Sequence, residues 1–291
     1  MFTGSSVALV TPFRHGKVDF HKLKYLVEFH IKNGTDAIAP CGTTGESATL
    51  STKEHKEVIK AVVDAAGGRL SVIAGTGSNC TDEAVDMTVF SEKAGADAAL
   101  VVVPYYNKPT QEGLYLHFKK VAESTSLPVI IYNIQSRTGV NMLPATVIRL
   151  SKIKNIAGIK EASGLIDQSS EIVEGCGRDF IVLSGDDALT LPVMSVGGKG
   201  VISVVANIIP KDVKAMTDAF SAGNLKKARE LHLKMLGLVK AMFIETNPIP
   251  VKTAMELMGM ISGELRLPLC SISKKNLQEL KTALKGYGLI K

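Results

Sequence analysis

The chain has 291 residues, 45% hydrophobic and 21% charged, and a net charge of +6 from 34 basic and 28 acidic side chains. That apolar share supports a sizeable core and excludes disordered and collagen-like chains, while four cysteines are too few for a disulfide scaffold. No apolar run reaches the ~18–20 residues of a membrane span, and MFTGSSVALVTPF has neither the positive start nor the small-residue cleavage site of a secretion signal.

Short apolar runs alternate with longer amphipathic ones. The strand-like runs are 6–10, 36–40, 70–75, 98–103, 128–133, 156–160, 180–185 and 200–205. Almost none alternates apolar with polar residues, which is the pattern of parallel strands buried on both faces. Helices are expected between them, for example at 19–33, 51–66, 81–95 and 111–124. Ser51 with Glu54 reads as a capping box, Thr81 beside Asp82 and Glu83 as a second start, and Gly34, Gly67 and Gly95 as stops. Eight strand–helix units in about the first 220 residues is the count of a closed (β/α)8 barrel. An open doubly wound sheet would more often carry a phosphate-binding glycine turn. GTGSN at 75–79 and GGKG at 197–200 have the wrong frame for one. After Gly223 the pattern changes to helices at 224–244, about 250–259 and 273–286. The expected organisation is therefore an α/β barrel over 1–223 with a C-terminal helical region, 224–291, packed on it.

A barrel of this kind places its chemistry at the C-terminal ends of its strands. Those ends carry Thr11 and Pro12, the GTTGES turn at 42–47, Tyr105 and Tyr106, Tyr132 and Asn133, Lys160 and Glu161, and Gly185 and Asp186. Lys160 is the most informative, because the largely apolar run IAGI leads straight into it. Lys152 and Lys154 nearby read as ordinary solvated charges. Partial desolvation at a strand end disfavours an ammonium, and a neutral amine attacks carbonyl carbon. Tyr132 ends the neighbouring strand, where a phenol can relay protons beside that amine. In the GTTGES turn, glycines allow tight turning, and two hydroxyls with free N–H groups can hold a carboxylate. Arg137, just beyond Tyr132, presents a planar fork suited to a second carboxylate. Together these groups describe an aldolase with an amine nucleophile, a proton shuttle and two anion grips.

Metal and nucleic-acid chemistry find no comparable support. Cys41, Cys80, Cys176 and Cys270 stand singly, no H-E-x-x-H occurs, and the thiols are expected to remain reduced in the cytoplasm. Basic residues are mixed with acidic ones along helices, which reads as solvated surface; the modest positive excess suits small anionic substrates.

With these residues assembled, the chain resembles the 4-hydroxy-tetrahydrodipicolinate (dihydrodipicolinate) synthases, within the pyruvate-dependent class I aldolases that include N-acetylneuraminate lyase. The resemblance runs the length of the chain through MFTGSSVALVTPF, CGTTGESATL, AGTGSN, PYYNKPTQEGLYLHF, YNIQSRTG, GIKEASG, LSGDD, GVISVVANI and ETNPIPVK. It implies that Lys160 forms an imine with pyruvate and that the resulting enamine attacks aspartate-4-semialdehyde. It assigns Thr43, Tyr132 and Tyr106 to a proton relay, with Tyr106 lent by an adjacent subunit of a homo-oligomer. Thr44 would hold the pyruvate carboxylate, Arg137 the semialdehyde carboxylate, and Gly185 and Ile202 would line the pyruvate pocket. It implies no metal and no organic cofactor. It also implies an L-lysine inhibitor site matched by Ser47, Ala48, His55, Asn79, Glu83 and Tyr105, with Thr52 where some sensitive members carry His. Gln135 departs from the family, which usually has Pro there; a freed φ angle and an added donor beside Arg137 are the expected consequences. Two rival readings are a sister aldolase acting on sialic acid or a keto-deoxy sugar acid, and a barrel that binds a keto or amino acid without turning it over.

Overall fold

The alternating runs close on themselves. In a computed structural model describing residues 2–291, eight parallel strands form a closed barrel. They are β1 (Gly4–Ala8), β4 (Ala37–Ala39), β5 (Ser71–Gly75), β6 (Ala98–Val102), β7 (Val129–Asn133), β8 (Ile156–Glu161), β9 (Ile181–Ser184) and β10 (Gly200–Ser203), with β1 pairing both β4 and β10. All eight expected strands are present, most a residue or two shorter. The 200–205 run ends early because a 3-10 turn, Val205–Asn207, takes its last residue.

One small element went unread. Phe13–Arg14 (β2) and Lys17–Val18 (β3) form an antiparallel hairpin. Its two turn residues, His15 and Gly16, both have positive φ, +53° and +76°, the pattern of a type I′ turn. Strands of two residues carry no periodicity to read.

Two faces of the sheet are buried for different reasons. Residues such as Ala39, Ile73, Leu100, Ile130, Leu183 and Ile202 fill the barrel interior, and alternate residues pack outward against the helices. The helices start where local chemistry satisfies their first N–H groups. Ser51 and Glu54 form the expected capping box on Thr52–Ala66, and Gly67 and Gly95 close their helices in the left-handed conformation. Thr81 does not cap its helix. Cys80 occupies the cap position without a side-chain bond, and the Thr81 hydroxyl pairs with His117 Nδ1 at 2.9 Å instead. Beyond the barrel lie the helices Leu225–Ala241, Ile249–Leu257 and Lys274–Tyr287. The first packs against Pro210–Ser221, the last helix before Gly223. Among the described residues no helix is long and apolar enough to cross a membrane.

Candidate active site

Strand alternation decides where Lys160 points. Lys160 is in register with Tyr132 on β7 and Leu183 on β9, both part of the barrel interior. Its neighbours Ile159 and Glu161 therefore face outward. Glu161 is tied there by Asn133 Nδ2 and Gln168 Nε2, both at 3.1 Å, and by the Ser163 N–H at 2.6 Å, which fixes the strand end. Lys160 is 5% exposed, and its Nζ lies 4.1 Å from the centroid of the Tyr132 ring. Among the described residues it forms no ion pair. An aromatic face attracts a cation, so the same ring suits the protonated imine that an amine makes with a keto acid. Gly185 leaves room for this arm: a Cβ there would stand 3.1 Å from Lys160 Cε and 3.2 Å from Cγ.

The turn after β4 is the second element. Cys41 and Glu46 both adopt left-handed backbone, at φ +55° and +53°, which non-glycine residues seldom do. Between them Gly45 is required by space, because a Cβ would meet Cys41 N at 2.9 Å and Leu9 O at 3.1 Å. Thr44 is buried, and its hydroxyl accepts from Asn247 Nδ2 at 2.9 Å. The carbonyl of Asn247 in turn accepts from Arg137 Nη2 at 3.0 Å. The two expected anion grips are thus joined through one residue. Arg137 lies on the short helix Gln135–Thr138, whose first residue is the unusual Gln135. At that first position the N–H needs no helical acceptor, so Gln and Pro are both accommodated. Gln135 itself is not part of the cavity wall.

A cavity of about 720 Å³ opens over these groups. Thr43, Tyr132, Arg137 and Asn247 line one part of it; Ser47, Ala48, His55, Glu83 and Tyr105 line another, with Thr52, Asp82 and Asp86. The two groups of expected residues therefore share one hollow. Lys160, Thr44, Gly185, Ile202, Asn79 and Tyr106 are not on its wall. Lys160 lies against the ring of Tyr132, which does line it, while Asn79 Nδ2 donates to the Tyr105 carbonyl at 3.2 Å. Tyr106 is 90% exposed, with φ +71°. Among the described residues no hydrogen bond joins the hydroxyls of Thr43, Tyr132 and Tyr106. The acidic part of the wall is locally organised: Ser78 donates to Glu83 at 2.6 Å, and His55 Nε2 contacts the Gly75 carbonyl at 2.7 Å. Burial lowers the His55 pKa, with the Gly75 carbonyl opposing, and so favours the neutral ring. No group of three or more His, Cys, Asp or Glu among the described residues is placed to hold a metal.

Two residues at this site escaped the reading of the strand ends, Asn247 and Lys252, and Glu46 enters it only as part of the GTTGES turn, without its partner. Asn247 Oδ1 is buried without a partner. Lys252 and Glu46 form an ion pair at 2.6 Å with both side chains fully buried. A signal for Lys252 existed: like Lys160 it ends an apolar run, IPV, with TAM following.

Comparison with known proteins identifies the family. Residues 1–287 match the model of the dihydrodipicolinate synthetase family. The 4-hydroxy-tetrahydrodipicolinate synthase of Geotalea uraniireducens is 58% identical over 290 residues, covering all of both chains. The crystal structure of the Aquifex aeolicus dihydrodipicolinate synthase superimposes with a TM-score of 0.98 at 54% identity, over 99% of each chain. Two more distant structures hold small molecules. The Cyanidioschyzon merolae enzyme has lysine bound (43% identity, TM-score 0.97, 99% of each chain), and the Acinetobacter baumannii enzyme is complexed with pyruvate (45%, 0.97, all of each chain). With a family model across nearly its whole length and relatives above half identity, the chain belongs to the dihydrodipicolinate synthetase family.

Proposed function

We propose that the chain is a lyase that condenses pyruvate with L-aspartate-4-semialdehyde to 4-hydroxy-tetrahydrodipicolinate, the first committed step of lysine formation through diaminopimelate. The observation that carries the proposal is a buried, ion-pair-free Lys160 against the face of Tyr132, beside a turn able to grip a carboxylate. The Lys160 amine attacks the keto carbon of pyruvate; the carbonyl oxygen takes protons and leaves as water, giving a protonated imine. That cation is an electron sink, so a methyl proton is lost and an enamine forms. The enamine carbon bonds to the aldehyde carbon, whose oxygen takes a proton and stays as the hydroxyl. The adduct's amino group then adds to the imine carbon and expels the Lys160 amine, closing the ring. Tyr132, whose ring faces the nitrogen, serves as the proton donor and acceptor. Thr44 and the backbone at Thr43 hold the pyruvate carboxylate, Arg137 the other one, and Gly185 and Ile202 shape the pocket. No metal and no organic cofactor takes part.

A relay that includes Tyr106 belongs to an assembly in which one chain lends this tyrosine to another, consistent with its 90% exposure. A homo-oligomer, a dimer of dimers in the cytoplasm, is the proposed form. For the part of the cavity lined by Ser47, Ala48, His55, Glu83 and Tyr105 we assign L-lysine as an inhibitor: Asp82 and Glu83 offer carboxylates to its ammonium groups, and Asn79 braces Tyr105 through its carbonyl. Initial rate should fall as lysine is added, and activity that stays flat to millimolar lysine removes this assignment.

Borohydride reduction in the presence of pyruvate, followed by mass mapping, tests the chemistry. Labelling at Lys160 is expected; an unlabelled protein that still binds pyruvate is a binding module, not an enzyme. Turnover with aspartate-4-semialdehyde against sialic acid and keto-deoxy sugar acids then separates the synthase from its sister aldolases.

A further inference from the structure

The turn bearing Thr43 and Thr44 is held from the far end of the chain. Glu46 ends that turn in left-handed backbone, and its N–H donates to the Thr43 carbonyl at 3.1 Å. Gly45 is fixed from the segment that follows β1, because the Thr11 hydroxyl donates to its carbonyl at 2.7 Å. The Glu46 carboxylate accepts from Lys252 Nζ at 2.6 Å on one oxygen and from the Arg266 N–H at 3.2 Å on the other. Lys252 also donates to the Thr11 carbonyl at 3.0 Å and lies 4.2 Å from the centroid of the Phe13 ring. One ammonium therefore ties the segment after β1, the end of the turn and the helix Ile249–Leu257 together, with no solvent access.

None of the bond-making steps uses this pair. Taking two charges out of water is costly, and apolar side chains of similar volume commonly stabilise a fold as well or better. An ion pair differs from such a filling in being directional: it selects one conformation of the residue that carries it. Here that residue is the left-handed Glu46, whose N–H orients the Thr43 carbonyl. We infer that Lys252 and Glu46 are positioning residues for the pyruvate carboxylate, holding residues 43–46 in the turn that presents the Thr43–Thr44 backbone to the substrate. The inference rests on the proposed imine chemistry at Lys160. Lys252 is not a rival nucleophile, because its amine is wholly buried and occupied by Glu46 and Thr11.

The test is pyruvate titration of borohydride trapping at Lys160 in the full chain carrying both Glu46→Gln and Lys252→Met. The double change removes both charges together, so no lone buried charge is left. The half-saturating pyruvate concentration should rise at least tenfold, while trapping at saturating pyruvate still reaches wild-type stoichiometry. A purely structural role would instead lower the folded fraction and leave the half-saturation point in place. A folded double variant that titrates like the wild type overturns the inference. Should the double variant fail to fold, Glu46→Asp decides: it keeps both charges but draws the carboxylate back by one methylene, and a rise of threefold or more is expected. A folded Glu46→Asp variant with wild-type half-saturation refutes the pin. Wild-type protein that shows no pyruvate label on Lys160 would refute the reaction itself, a separate outcome.

Discussion

Gly185→Ala is the sharpest single perturbation of the proposed nucleophile. A methyl group there would stand 2.6 Å from Ala162 Cβ, against a normal carbon–carbon contact of ~3.5–4.0 Å. About 1 Å of relative movement must be found between two short, backbone-fixed groups, and the Lys160 arm at 3.1–3.2 Å must retreat as well. Overpacking of this kind costs ~1–3 kcal/mol, so the thermal midpoint should drop by a few degrees while the barrel still folds. Catalysis should suffer more than stability, because misplacing a reacting group by ~1 Å can cost ~100-fold in rate. Quenched borohydride trapping over time, read by intact mass, should show imine formation slowed ten- to a hundredfold. A folded Gly185→Ala variant that traps pyruvate on the wild-type time course would refute the claim that position 185 sets the Lys160 arm.

Other outcomes follow from the same geometry. Lys160→Ala should abolish pyruvate trapping with little change in the unfolding midpoint; continued trapping would place the chemistry on another lysine. Arg137→Ala should raise the KM for the aldehyde by roughly 10–100-fold, the worth of a charge-assisted hydrogen bond, and leave the KM for pyruvate nearly unchanged. Equal effects on both substrates would contradict the role given to Arg137. Acid should weaken the fold before the carboxylates titrate. Burial pushes the pKa of His30 down to about 3 and that of His117 down to about 4, and each has a ring Nε2 without a partner. Below the unfolded value of ~6.5 the unfolded chain takes up protons that the folded chain refuses, so stability falls as pH falls through this range. The loss is ~1.4 kcal/mol per pH unit for each ring, about 2 kcal/mol each by pH 5. Glu54, held down to about 2 by Arg266, contributes its own loss only at lower pH. Chemical denaturation at pH 7, 6 and 5 reads this window, and a flat midpoint across it would show that neither histidine is buried neutral.

Much of this was legible in one dimension, because the informative quantities are local. A strand buried on both faces writes itself as an uninterrupted apolar run, and a lysine closing such a run, as in IAGIK, stands out against Lys152 and Lys154. Glycine stops and the Ser51–Glu54 capping box need only four or five residues of context. Where the reading failed, the cause lay elsewhere in the chain or below the length that shows a pattern. Thr81 has the composition of a cap, but His117, 36 positions later, draws its hydroxyl away. The Lys252–Glu46 pair spans 206 positions, and Asn247 meets Thr44 across 203, so neither half announces the other. The exposure of Tyr106 is equally invisible in PYYN, where two adjacent tyrosines have the same local chemistry and only one lines the cavity.

The bond from Lys252 to the Thr11 carbonyl joins positions 241 apart. A growing chain therefore has its amino-terminal strand and GTTGES loop long before the amine that secures them has been made. Until residues 246–266 emerge from the ribosome, the nascent polypeptide holds a carboxylate with no counter-ion and a threonine loop with no latch. The turn that the proposed chemistry gives to the keto acid is therefore completed only once nearly the whole chain has been made.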